Sequence, residues 1–234
     1  MIYSSICIDI RQCNWEVEDK APSILGDANK QSATNNTDTS NKPVRISYIT
    51  EQTSHHPPVS AFYVDCPVKG ITARGFDQLS AKFTGTSIRV TPGAHNLGIF
   101  INLSNRGNEE YRLTHPAANL GGLIRGSLSV TVADTCFITC PKTRTKAILH
   151  YLEEAWLGKT QHKVIGVIYR YDPNNDNRTR IKDIPDKDIL ARLEGCWQDQ
   201  IQYTLANSKV LPLPLISLTS PCEKKQKQTQ KPSH

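Results

Sequence analysis

From Val44 onward the chain is written in short apolar or alternating stretches punctuated by turn residues: VRISYIT, VSAFYVD, ITARGF, SIRVT, LGIFINL, EEYRLTH, LIRGSLSVTV, CFITC, KAILHYL and KVIGVIYRY. Strands recurring about every ten residues, separated by PVKG, TPGAHN and NRGN, read as an antiparallel meander. Many runs alternate with a period of two, as where Tyr111 and Leu113 interleave with Arg112 and Thr114, so one face packs and the other is wet. After the polar turn DPNNDNRTR, the stretch DIPDKDILARLEGCW allows a short helical turn, and QIQYTL supplies a last strand. The expectation is an all-β fold with minor helix, whose core ends near Leu205. A single sheet of this many strands curls or closes, and the interior so formed must be filled by side chains or by a ligand.

Two polar stretches flank this pattern. Residues 21–43 are rich in Asn, Ser and Thr and read as a long loop or disordered insertion, and residues 206–234 form a proline- and lysine-rich tail. At 234 residues the chain fits one domain with tails. No heptad run suggests a coiled coil, and a monomer is expected. No apolar run approaches the ~20 residues of a transmembrane helix. The first residues lack a basic start and a small-residue cleavage pattern, so a cytoplasmic location is expected. Seven cysteines, an odd number with irregular gaps and no CxxC pair, read as reduced and mostly buried thiols. Of the net charge of +6, the last twelve residues hold +3, from four lysines against Glu223, which gives the tail some attraction for anionic membranes. Basic residues are not interleaved with aromatics as nucleic-acid binding requires, and no nucleic-acid partner is expected.

The strongest local signal for chemistry is EQTSHHPPVSAFYV, residues 51–64. Pro57 and Pro58 hold the chain extended or turned and exclude a helix, so His55 and His56 reach one target only where regular pleating is broken. The pair is either hydrogen-bonded within its own turn or an anion site, since two imidazole N–H donors converging on a phosphate make charge-assisted bonds. A metal site is not expected, because His95, His115, His150 and His162 are scattered and no ligand spacing recurs. GGLIRGS at 121–127 lacks the lysine of a phosphate loop and reads as a strand with glycine bends. Cys136 and Cys140 read as packing, Glu109-Glu110 and Glu153-Glu154 as solvent-facing, and no nucleophile–base pair is evident. No enzyme activity and no cofactor are expected.

The stretch EQTSHHPPVSA resembles the EQ-x-SHHPP-x-SA signature of the oxysterol-binding-protein-related lipid-transfer family. KGITARGFDQLSAKFTGTS, LSNRGNEEYRLTHP, GLIRGSLSVTVADTCFITC, LEEAWLGK and LEGCWQDQ continue the resemblance in the same order, over roughly residues 11–205. RGNEEYRLTHP and CFITC look most like the branch associated with phosphatidylserine exchange. The resemblance implies an incomplete antiparallel β barrel around a tunnel holding one lipid at a time. It implies that His55 and His56 bind the headgroup phosphate of phosphatidylinositol 4-phosphate, and that a sterol or phosphatidylserine competes for the tunnel. The protein would then act peripherally, at membranes or membrane contact sites.

This chain also departs from the family pattern. Where many members place a phosphate-binding lysine before the tryptophan it has Asn14, a weakened headgroup position, and residues 1–10 diverge from the NP-x-LGE stretch usual there. The upstream lid and the downstream helical region with further headgroup contacts have no counterpart in the sequence, so a partial domain is expected. The alternative to lipid exchange is a non-transferring module that its basic tail recruits to membranes. Deleting residues 223–234 separates the two in a liposome assay: lipid extraction survives the deletion if the barrel does the work, and membrane recruitment disappears with the tail if it does not.

Overall fold

The computed structural model describes residues 10–17, 43–122, 126–153, 162–206 and 210–212. Among them, fourteen strands form one antiparallel sheet: β1 (Ile10–Val17), β2 (Val44–His55), β3 (Pro58–Cys66), β4 (Ile71–Phe83), β5 (Ile88–Pro92), β6 (Ile99–Leu103), β7 (Glu109–Leu113), β8 (Ala117–Gly121), β9 (Ser129–Cys140), β10 (Thr145–Tyr151), β11 (Lys163–Arg170), β12 (Ile189–Cys196), β13 (Ile201–Leu205) and β14 (Val210–Pro212). The main path runs β1-β2-β3-β4-β5-β8-β9-β10-β11-β12-β13-β14 and is open at both ends, an incomplete barrel.

The expected minor helix reduces to 3-10 turns, among them Ile181–Asp183 and Asp186–Asp188, because the charged DIPDKD stretch has no apolar face long enough for a helix. The sheet also runs past the expected end at Leu205, since β14 pairs with β13. Pro212 is tolerated there because β14 is an edge strand. Residues 21–42 of the loop expected at 21–43, and the tail residues 213–234, lie outside the described residues.

Pleating sorts the side chains onto two faces. Opposed across nine consecutive strands stand Phe62, Gly75, Ile99, Leu113, Ile138, Ala147, Ile168, Ala191 and Leu205, one unbroken apolar row. The adjacent row on the other face runs Tyr63, Arg74, Phe100, Arg112, Thr139, Lys146 and Tyr169. A curling sheet turns its apolar face inward.

The sheet forks at β4 and β9. Residues 71–75 of β4 pair with β6, while 79–83 pair with β5. Residues 129–133 of β9 pair with β8, while 138 and 139 pair with β7. Between the branches lie Phe76, Asp77 and Gln78 on β4, and on β9 the stretch beginning with Asp134, whose φ is +71°.

The polar face carries a second core. Ile148, Val167, Tyr169, Tyr171, Ile184 and Ile189 pack together with Phe137 and Ile181 against them, roofed by the segment between β11 and β12. Buried charge holds that roof down. Lys146 Nζ donates to Asp176 Oδ2 at 2.7 Å and to the Arg178 carbonyl at 2.9 Å, and stands 4.9 Å from the Phe137 ring centroid. Arg178 in turn meets Asp188 at 3.1 Å. The Lys146 and Asp176 side chains are only 10% and 5% exposed, so neither charge has water to fall back on.

Removing one partner strands the other. Asp176→Asn should lower stability by about 3 kcal/mol, on the order of 10 °C in Tm, in a thermal melt. Alkali attacks through the tyrosines. Burial, with help from Glu109, pushes the Tyr111 hydroxyl up to about 12; burial, then Cys136, does the same to Tyr151; and Tyr169 is raised by burial and Asp176. A folded-state value raised above the ordinary 10.0 means that the unfolded chain loses its protons first. Stability should therefore be intact below pH 10 and fall between pH 10 and 12, the fall being shallower in Tyr111→Phe and Tyr151→Phe.

Candidate functional site

His55 and His56 occupy the hairpin between β2 and β3. His55 is paired with Pro58, the His56-Pro57 peptide is cis, and all four residues are exposed. A turn of two central residues with cis proline in the second position is the type VI arrangement, which only an X-Pro sequence supplies. Pro57 thus sits in the turn and Pro58 begins β3, the turned alternative of the extended-or-turned chain expected from the two prolines.

A β-bulge then sets the direction of His55. Between Gln52, opposite Ser60, and Ser54, opposite Val59, the extra residue Thr53 has no partner of its own. Thr53 Oγ1 donates to the Val59 carbonyl at 3.3 Å and Gln52 Nε2 to the Ser54 carbonyl at 3.4 Å, which stitch the bulge. Uninterrupted alternation from Ile49 and Glu51 would put His55 on the polar face. The bulge puts it on the face of Ser60 and Phe62, which is the apolar face.

The apolar face therefore has a polar rim at its histidine end. Gln52, Ser60 and Asp77 stand opposed in one row, next to the row of Thr50, Phe62 and Gly75. At the fork, Asp77 Oδ1 lies 3.3 Å from His115 Nε2. Away from the rim the face is aromatic: Trp15 and Tyr48 have centroids 5.8 Å apart, and Tyr48 and Phe62 6.4 Å. Gly75 leaves room for this ladder, because a Cβ there would lie 2.9 Å from the Phe62 ring. Tyr48, Phe62, Val64 and Ile101 are only half-buried, so the apolar floor is not filled by the protein's own side chains.

Asn14 is not brought to this rim. It lies on β1, where Ser47 Oγ donates to its Oδ1 at 2.9 Å, eight residues along β2 from His55 and thus ~25 Å away at a strand's rise. Of the other histidines, His115 joins the rim through Asp77, His95 is exposed, His150 bonds Thr135 at 3.0 Å, and His162 packs edge-on to Trp197 at 5.1 Å. Cys136 and Cys140 are buried, and burial raises the Cys136 thiol, which fits a packing role. In GGLIRGS, Gly121 ends β8, and Gly122 and Gly126 have positive φ, the expected bends. A depression of about 410 Å³ lined by Asp186, Ile189, Arg192, Thr204, Leu205 and Ala206 belongs to the β12–β13 end of the sheet, not to the histidine hairpin.

Comparison with known proteins agrees with this architecture. The family model "Oxysterol-binding protein" matches residues 33–233. Oxysterol-binding protein-like protein 1 of Schizosaccharomyces pombe is 51% identical over 161 residues, covering 69% of this chain and 31% of that protein. Human oxysterol-binding protein-related protein 8 is 34% identical over 157 residues, 67% of this chain and 16% of that protein. The chain thus spans a third or less of the length of these relatives. Among solved structures, the Osh1 ORD domain in complex with ergosterol matches with a TM-score of 0.52 at 20% identity, covering 71% of this chain and 36% of that one. The Osh3 ORD in complex with PI(4)P, from Saccharomyces cerevisiae, matches with a TM-score of 0.52 at 18% identity, covering 72% and 40%. The chain belongs to the oxysterol-binding protein family.

Proposed function

We propose that the chain binds one membrane lipid at a time and exchanges phosphatidylinositol 4-phosphate for a sterol or phosphatidylserine, with His55 and His56 holding the headgroup phosphate. The observation that carries this reading is the bulged hairpin. It presents His55 on the same face as the half-buried apolar floor, so one amphipathic molecule can lay its chains along Tyr48, Phe62 and Ile101 and its phosphate against the imidazoles. Solved relatives in complex with ergosterol and with PI(4)P have the same fold.

Two N–H donors from one tight turn suit a compact dianion better than a neutral group, because hydrogen bonds to a charged partner are roughly twice as strong. Asn14, beside Ser47 on β1, is not part of the proposed headgroup site. Exchange involves no covalent step, and the chain's part is to extract, shield and release. The apolar face gives shielding, while exposure of the hairpin lets it meet a bilayer surface. On this reading the protein works from the cytoplasmic side, peripherally, where two membranes are close.

The His55→Ala, His56→Ala double variant should extract phosphatidylinositol 4-phosphate from liposomes about 100-fold less well, two hydrogen bonds to a charged group at the low end of ~1.5 kcal/mol each. Its circular dichroism and melting curve should match the parent, since both residues are exposed. Undiminished extraction by the folded variant rules out the headgroup role.

A further inference from the structure

The two ends of the sheet are unlike. β14 is a strand of three residues that finishes in Pro212, a form that resists further pairing. β1 has eight residues, no proline and no lysine, and seven of its residues are exposed, among them Ile10, Trp15 and Val17. Among the described residues no strand pairs with its outer edge. The family match begins only at residue 33, so β1 lies outside it.

We propose that β1 is a self-association edge, pairing antiparallel with β1 of a second copy of this chain across a two-fold axis at Cys13. Symmetry limits the register. A two-fold axis that makes adjacent strands antiparallel stands normal to the sheet, so the apolar face of one copy continues into the apolar face of the other. Opposed residues then come from the same face, and their numbers sum to an even value. The register that sets Arg11 against Glu16 is thereby excluded, because those two residues lie on opposite faces of the strand.

Of the central registers that remain, the one summing to 26 is favoured by its side chains. Cys13 faces Cys13 of the second copy, Gln12 faces Asn14 with amides able to bond each other, and Arg11 faces Trp15 on the apolar side. The register summing to 28 would set Arg11 against Val17 instead. Trp15, tilted on Tyr48 and 40% exposed, lies within this seam. Pairing also removes a row of unbonded backbone N–H and C=O groups that a lone edge leaves to water.

Cys13 reports on the register directly. Directly opposed residues of an antiparallel pair have Cα atoms about 4.5–5.5 Å apart, inside the span of a disulfide. Copper–phenanthroline should therefore take two electrons and two protons from the two thiols, and peptide mass mapping should find Cys13 joined to Cys13. Sedimentation of the full chain at about 100 µM should give a dimer. Gln12→Lys with Asn14→Lys puts like charges opposite each other and should weaken association about tenfold or more. Gln12→Glu with Asn14→Lys puts opposite charges there and should restore it. A monomer throughout, a dimer indifferent to the lysine pair, or a crosslink that does not involve Cys13 would overturn the proposal.

Discussion

Water must be kept from one continuous apolar face, and most of the structure follows from that requirement. The row from Phe62 to Leu205 crosses nine strands without a polar interruption. Toward β11 and β12 the protein covers it with its own side chains: Val164, Ala191 and Leu193 are buried. Toward β2 and β3 it does not, and Tyr48, Phe62 and Val64 are half-exposed. At about 25 cal/mol per Å², each ~400 Å² left wet forfeits on the order of 10 kcal/mol, as much as the whole stability of a domain. On the proposed reading, a lipid's chains laid on that floor recover part of this energy, which couples binding to stability.

On the proposed reading, the histidine hairpin answers the complementary problem of where the lipid's charge goes. A phosphate must stay near water and near donors while its chains leave water, so its site belongs at the edge of the apolar face. The cis proline closes the hairpin in two residues, and the unpartnered Thr53 carries His55 to the correct side. Gln52, Ser60, Asp77 and His115 extend the polar margin along the fork. On the opposite face, Lys146 and Asp176 clamp the roof of the second core.

Alternation revealed most strands, because period-two patterning and turn residues are local properties. It overlooked β1, which lies ahead of the pattern that begins at Val44; β8, where AANLG offers small and polar residues; β12, whose ILARLEGC was read as part of a short helical turn; and β14, where Pro212 argued against order that only an edge position permits. The paired histidines stood out for the same local reason. Their orientation did not, since it depends on one unpaired residue, Thr53, two positions before His55. His115 read as one scattered histidine among several: its meeting with Asp77 spans the fork, and no local pattern encodes pairing at that separation. The segment DPNNDNRTR read as a solvated turn. Asp176 within it is buried against Lys146, a partner thirty residues away.

Native mass spectrometry of the full chain after incubation with liposomes containing phosphatidylinositol 4-phosphate and a second lipid tests the central claim most directly. The account predicts one phosphatidylinositol 4-phosphate per folded chain, displaced one for one by sterol or phosphatidylserine. A folded chain that carries no lipid, or that holds both lipids at once, would contradict it.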